Sequence, residues 1–94
     1  MIQLRLYDPF NPDDPREGTI SPREVRERAY ISVDRMANLC HAHPGAIKAY
    51  EIGQLIIGRA RARREWPKVQ AHLRRCYTAL AAFILVGESF TSET

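Results

Sequence analysis

Basic side chains are concentrated in the second half of the chain, and side chains of this type bind anions. Residues 44–80 contain eight Lys and Arg residues but two acidic ones, which gives this stretch a net charge of +6. Guanidinium and ammonium groups pair with the carboxylates of other proteins and with phosphates. We therefore predict a partner-binding surface formed by basic residues of this stretch and its tryptophan: Arg59, Arg61, Arg64, Trp66, Lys68 and Arg75.

The spacing of these basic residues allows two classes of partner. If one helix runs through Trp66 and Pro67, four of the basic residues recur at roughly helical steps and share a face. Such a face can bind an acidic surface of another protein, which is the partner we expect, or the phosphates of a nucleic acid, which is the alternative. The junction lacks the glycine turn of a helix-turn-helix motif. A basic run of this kind is also typical of a solvated helix face.

Two cysteines and two histidines have a spacing that could supply a zinc site. The pattern is Cys40-x-x-His43 followed by His72-x-x-x-Cys76, and thiolates and imidazoles are the usual ligands of tetrahedral zinc. However, Cys76 lies on an apolar helical stripe, where a free cysteine behaves as a small hydrophobe. We therefore predict two free thiols, no metal and no cofactor.

The sequence carries no recognisable catalytic motif. None of the serines lies in a Gly-x-Ser-x-Gly turn, and there is no glycine-rich phosphate loop. Carboxylates at helical spacing, namely Glu24, Glu27 and Asp34, sit among arginines and resemble a solvated ion-pair face. A chain of 94 residues also forms a single small domain with a modest core. We expect a protein that is not an enzyme.

Residues 1–20 form an extended N-terminal arm in our interpretation. Hydrophobic residues alternate with polar ones up to Leu6, and prolines then recur at every third position from residue 9 to residue 15. Proline removes a hydrogen-bond donor and disfavours helix at the preceding residue. We expect Leu6 and Phe10 to fold back over the helices; the alternative is that the arm is a polyproline ligand for a partner.

The remaining sequence predicts an all-α fold, a three-helix bundle-like domain over residues 21–87 with a polar C-terminal tail at 88–94. Ser21, Pro22 and Glu24 form a capping box that starts the first helix, which we expect to stop near His41. The second helix is predicted from about residue 44 to residue 64. The third is predicted from Pro67 to about residue 86, followed by Gly87 as its cap. Whether the second and third helices are separate or form one kinked helix is left open.

The middle of the predicted second helix is apolar over more than one face, which favours a homodimer because a small bundle could not cover it. The longest apolar run has eight residues, too few for a membrane span, and no secretory pattern opens the sequence, so we expect a cytoplasmic location and no membrane partner. Tyr50, Trp66 and Tyr77 would resemble an interface hot spot if exposed beside the arginines. We predict a small non-enzymatic protein that regulates, inhibits or helps assemble another protein through direct binding.

Overall fold

The computed structural model describes residues 5–55 and 60–92, and the side chains of residues 5–55 and 60–84. The described residues are mostly helical, as expected for the all-α class, with one small parallel sheet. Among these residues, no helix combines the length and the hydrophobicity that a transmembrane segment requires. In chain order the elements are β1 (Arg5–Leu6), β2 (Thr19–Ile20), α1 (Pro22–Arg28), α2 (Val33–Cys40), α3 (Pro44–Ile52) and α4 (Ala60–Ser92).

The two ends of the N-terminal segment pair with each other as strands, and the segment packs against the core. β1 pairs with β2 in parallel, and Leu6 lies opposite Ile20. Between the strands, the carboxylate of Asp14 accepts hydrogen bonds from Arg5 Nη2 at 2.8 Å and from the backbone N–H of Asp8 at 2.7 Å. Leu6 and Phe10 pack against the core, as the sequence predicts. The aromatic ring of Phe10 therefore makes its contacts within the chain.

The predicted start of the first helix is confirmed. Ser21 Oγ accepts a hydrogen bond from the backbone N–H of Glu24 at 3.0 Å, and Pro22 is the first helical residue. In a capping box the carboxylate of Glu24 would accept from the Ser21 N–H. Here it accepts a hydrogen bond from Arg28 Nη2 at 3.1 Å, in a salt bridge one turn along the helix. Ile20 and Val25, which flank the cap, are both buried.

A single first helix from residue 21 to residue 41 is a wrong prediction, because the structure divides it into α1 and α2. The chain leaves α1 through Tyr30, which has a positive φ of 58°. A second serine, Ser32, then caps α2 by accepting from the backbone N–H of Arg35 at 3.1 Å. Serine favours the start of a new helix because its hydroxyl accepts a hydrogen bond from a backbone N–H group in the first turn. The predicted end near His41 is correct, and His41 has a left-handed φ of 54°.

The predicted second helix starts at Pro44 as expected but ends twelve residues before the predicted residue 64. It ends because Gly53 adopts a positive φ of 77° and caps α3. A Cβ atom at Gly53 would lie 2.2 Å from the carbonyl oxygen of Pro9. The glycine thus closes the helix and lets the N-terminal segment approach it, whereas the sequence pattern placed it inside a helix.

The predicted bounds of the third helix are wrong, because α4 begins at Ala60 and runs to Ser92. Of the two alternatives left open for Trp66-Pro67, the structure shows one longer helix. It passes without interruption through Pro67 and through Gly87, which was expected to cap it. Proline inside a helix lacks the N–H donor and costs about 3 kcal/mol. Burial of a continuous stripe on one face opposes that cost: Trp66, Leu73, Tyr77 and Ala81.

Candidate partner-binding surface

Four predicted basic residues share one face of α4. Because α4 is continuous across Pro67, their spacing of three, four and seven residues places them on one side of the helix. All four are exposed. We call this surface the basic face: Arg61, Arg64, Lys68 and Arg75.

The N-terminal part of the basic face encloses a surface depression of about 340 Å³, lined by Arg61, Arg64, Glu65 and Lys68. Arg61 Nε lies 3.3 Å from Glu65 Oε1, in a pair whose side chains are 85% and 58% exposed. Ion pairs with this exposure are worth little, typically about 0–1 kcal/mol. Arg61 can therefore exchange Glu65 for an external carboxylate at small cost.

Trp66, predicted as part of the binding surface, lies in the core and is 6% exposed. Its place in the helical repeat puts it on the opposite side of α4 from the basic face. Its ring is 5.6 Å from the ring of Phe10, between centroids. Tyr50 and Tyr77 are also buried, so none of the three aromatic residues meets the condition of exposure beside the arginines that an interface hot spot would need. Arg59, the remaining predicted residue, lies outside the described residues.

A cavity of about 420 Å³ lies beside the basic face, between α4 and the chain that joins α2 to α3. We call it the interhelix cavity. Glu65 and Lys68 line both this cavity and the neighbouring depression, so the two spaces share an edge. The walls combine small apolar side chains with polar ones: His41, Ala42, His43, Ala46, Ala62, Glu65, Trp66, Lys68, Val69 and His72.

Two histidines fix the walls of the interhelix cavity. His43 caps α3, because its Nδ1 accepts a hydrogen bond from the backbone N–H of Gly45 at 3.0 Å. His72 Nε2 donates to the carbonyl oxygen of Cys40 at 2.7 Å, since a carbonyl can only accept. This bond joins α4 to the last residue of α2. Both walls are therefore held by hydrogen bonds to the backbone of the α2–α3 region.

The cysteines and histidines of the predicted zinc pattern partly come together. Cys76 Sγ lies 3.8 Å from His72 Nε2. Both thiols are free. Burial, followed by a hydrogen bond with Cys76, raises the pKa of the Cys40 thiol to about 12, so this thiol is protonated at neutral pH. Among residues 5–55 and 60–84, no group of three or more His, Cys, Asp or Glu side chains is arranged to hold a metal ion.

A partly buried polar network, which the sequence did not reveal, joins the helices behind this surface. Arg26 donates to both carboxylate oxygens of Glu51, and Tyr77 Oη donates to Glu51 Oε2 at 2.5 Å. The hydrogen bond to Glu51 raises the pKa of Arg26, and burial raises the pKa of Tyr77. Arg26 is one of the arginines that the sequence pattern places on the solvated ion-pair face of the first helix. Its partner, Glu51, lies 25 residues away in the sequence, beyond the reach of such a local pattern.

No protein-family model, no curated protein and no solved structure is similar to this chain.

The surface combines two properties that act together in molecular recognition. The basic face supplies fixed positive charge, and the interhelix cavity supplies a recess with largely apolar walls beside it. Charged groups at the rim of an interface steer and orient a partner, while apolar recesses bury its anchoring side chains. The arrangement can therefore bind a ligand that is both acidic and apolar.

Proposed function

We propose that this chain is a non-enzymatic binding protein that regulates, inhibits or helps assemble another protein by direct contact. The observation that carries the proposal is the shared edge at Lys68, where the basic face meets the interhelix cavity. Interfaces between proteins bring together an apolar centre and a polar rim in this way. The partner should present carboxylates to the basic face.

In this proposal the proline-rich arm and the bundle-like helical domain of residues 21–87 act as one unit. Phe10 from the arm packs on Trp66, on the side of α4 that faces away from the basic face. The arm thus supports the helix that carries the binding residues. In this proposal the arm stabilises the surface and does not itself bind the partner.

Charge reversal on the basic face tests the proposal. The double variant Arg64→Glu/Lys68→Glu changes two exposed residues of α4, and Lys48→Glu is a matched control on an exposed position of α3. Each protein carries an affinity tag and is used to capture partners from the native cell after nuclease treatment. We expect one protein to be captured by the wild type and the Lys48 variant and to be lost with the double variant.

A second step shows that the captured protein touches the basic face. A photo-crosslinking amino acid at position 64 or 75 should form a covalent adduct with that protein, and the same group at position 48 should not. Equal capture by the wild type and the double variant would overturn the proposal. So would adducts that form equally from all three positions.

The length of the basic face favours nucleic-acid binding as a second candidate. Arg61 and Arg75 are fourteen residues apart, which corresponds to about 21 Å along a helix. A row of cations of this length can contact several phosphates, and such binding is strongest at low salt. A gel-shift at low salt with duplex and single-stranded oligonucleotides tests this candidate. Absence of a shift there removes it, and loss of the captured protein after nuclease treatment would favour it.

We also propose that the chain forms a homodimer. Among the described residues, Phe83 on α4 is 78% exposed and Ile52 at the end of α3 is 58% exposed. Large apolar side chains at such exposure are candidates for burial against a second copy. Light scattering at micromolar concentration tests the proposal, and a mass of one chain across a dilution series would overturn it.

A further inference from the structure

We infer that the interhelix cavity receives one large apolar side chain of an acidic segment in the partner protein. The inference rests on the proposed function and specifies the partner's recognition element. That element is a short stretch of chain in which a leucine or an aromatic residue is flanked by aspartate or glutamate.

The size and walls of the cavity support an apolar occupant. Its volume of about 420 Å³ falls in the lower part of the range for ligand pockets, about 300–1,000 Å³. Three alanines, Ala42, Ala46 and Ala62, leave the space open, and Val69 and Trp66 complete the apolar wall. Burying a large apolar side chain in such a recess strengthens binding about tenfold or more.

The position of the basic residues determines what must flank that side chain. Lys68 lines the cavity itself, and Arg61 and Arg64 line the depression next to it. Glu65 also lines both spaces, but its carboxylate is paired with Arg61, so positive charge predominates at the shared edge. Arg61 and Lys68 are seven residues apart, or about 10 Å along the helix. An extended peptide covers this distance with about three residues. Carboxylates within about three residues of the anchoring side chain can therefore reach the basic face.

The same cavity is less suited to a nucleotide base. A base carries ring nitrogens and exocyclic groups that need hydrogen-bond partners once they are buried. The alanine and valine side chains offer none, and three polar wall atoms, His43 Nδ1, His72 Nε2 and Glu65 Oε1, already have partners within the chain. An aliphatic or aromatic hydrocarbon side chain needs no such partner. The apolar walls therefore favour a peptide side chain over a base.

Synthetic peptides of about ten residues provide the probe. One pool has a central Leu or Phe flanked by Asp and Glu, a second replaces the central residue by Ala, and a third replaces the acidic residues by Ser. Trp66 is the single tryptophan of the chain and lines the cavity, so its emission reports occupancy by a peptide that contains no tryptophan. We expect binding and an emission shift with the first pool, and binding at least about tenfold weaker with the other two.

Filling the cavity tests the location. Ala62→Leu places a larger side chain in the cavity wall, and Ala82→Leu makes the same change at an exposed position of α4 outside it, about 21 Å along the helix from Lys68. Leucine is a good helix former, so both variants should retain the helical circular dichroism of the wild type. We expect Ala62→Leu to weaken binding of the first pool at least about tenfold and Ala82→Leu to leave it within about twofold. Nuclear Overhauser contacts between the peptide's central side chain and the methyl groups of Ala46 and Val69 provide a second measurement on the unaltered chain.

The outcomes separate this inference from the proposed function. If the first two pools bind equally and Arg64→Glu/Lys68→Glu abolishes both, the basic face binds acidic segments but the cavity takes no anchor, and the inference is overturned. If no acidic pool binds the wild type, the inference fails while cellular capture still decides the proposed function. The inference would also be overturned if a single-stranded oligonucleotide bound in place of the peptides and Ala62→Leu weakened its binding. That result would assign the cavity to a base.

Discussion

Arg26 and Glu51 form a two-pronged ion pair, with 2.6 Å between Nε and Oε2 and 3.1 Å between Nη2 and Oε1. Their side chains are 12% and 6% exposed. The hydroxyl of Tyr77 donates to the same carboxylate, so Glu51 on α3 is bonded to both α1 and α4. Arg26 also donates to the carbonyl oxygen of Ile31, beyond the end of α1. The carboxylate of Glu51 thus joins α3, which begins at the interhelix cavity, to α4, which carries the basic face.

The first prediction concerns this carboxylate. Glu51→Gln should lower the free energy of unfolding by about 2 kcal/mol, because it leaves the partly buried guanidinium of Arg26 without its counter-charge. Urea denaturation followed by circular dichroism measures the change. The control is Glu27→Gln, which removes an exposed pair with Arg23 and should cost less than about 0.5 kcal/mol. A loss below about 1 kcal/mol for the Glu51 variant would contradict the role of the network.

The second prediction compares two glycines with similar backbone conformation. Gly18 and Gly53 have φ values of 69° and 77°, and a Cβ would meet nothing within 4 Å at Gly18 but would lie 2.2 Å from the Pro9 carbonyl oxygen at Gly53. Gly18→Ala should therefore cost about 1–2 kcal/mol from the left-handed backbone alone. Gly53→Ala should cost more and should displace the N-terminal segment. The difference in unfolding free energy, together with Trp66 emission, measures the contact, and equal costs would show that it contributes nothing.

The third prediction concerns acid. The hydrogen bond from Arg5, followed by the bond from the Asp8 N–H, holds the pKa of Asp14 below its ordinary value. A carboxyl with a lowered folded-state pKa contributes stability above its unfolded pKa, and this contribution is lost as pH falls through the folded value. The wild type should therefore be more stable than Asp14→Asn at neutral pH. Unfolding measured across the acid range should show this advantage shrinking below about pH 4. An advantage independent of pH would contradict the assignment.

The fourth prediction concerns assembly. Phe83 is 78% exposed, so Phe83→Glu should cost little stability in an isolated chain. If Phe83 is buried in the proposed homodimer, this variant should shift the light-scattering mass from two chains towards one, because a charge would be buried without a partner. Ala82→Glu changes the exposed neighbouring residue and should retain more of the dimer. Identical masses for the Phe83 variant and a dimeric wild type would place the interface elsewhere.

Local signals in the sequence predicted several features correctly. The start of α1 at Ser21-Pro22, the start of α3 at Pro44 and the end of α2 at His41 depend on caps that act within about four residues. The cap at Ser32 is a signal of the same kind and was present in the sequence, but the apolar periodicity across residues 25–40 obscured it. The sharing of one face by the basic residues was also predictable from their spacing, given a continuous helix.

The sequence by itself therefore determined the helical character, most of the capping residues and the spacing of the basic face. Tertiary contacts decided the rest. The approach of the Pro9 carbonyl makes Gly53 a helix end, the buried stripe carries α4 through Pro67, and packing on Phe10 places Trp66 inside. Glu51 became a buried partner of Arg26 because the fold brought together groups 25 residues apart. Caps and periodicity depend on neighbouring residues, whereas burial and buried ion pairs depend on which distant segments meet, and that is settled when the whole chain packs.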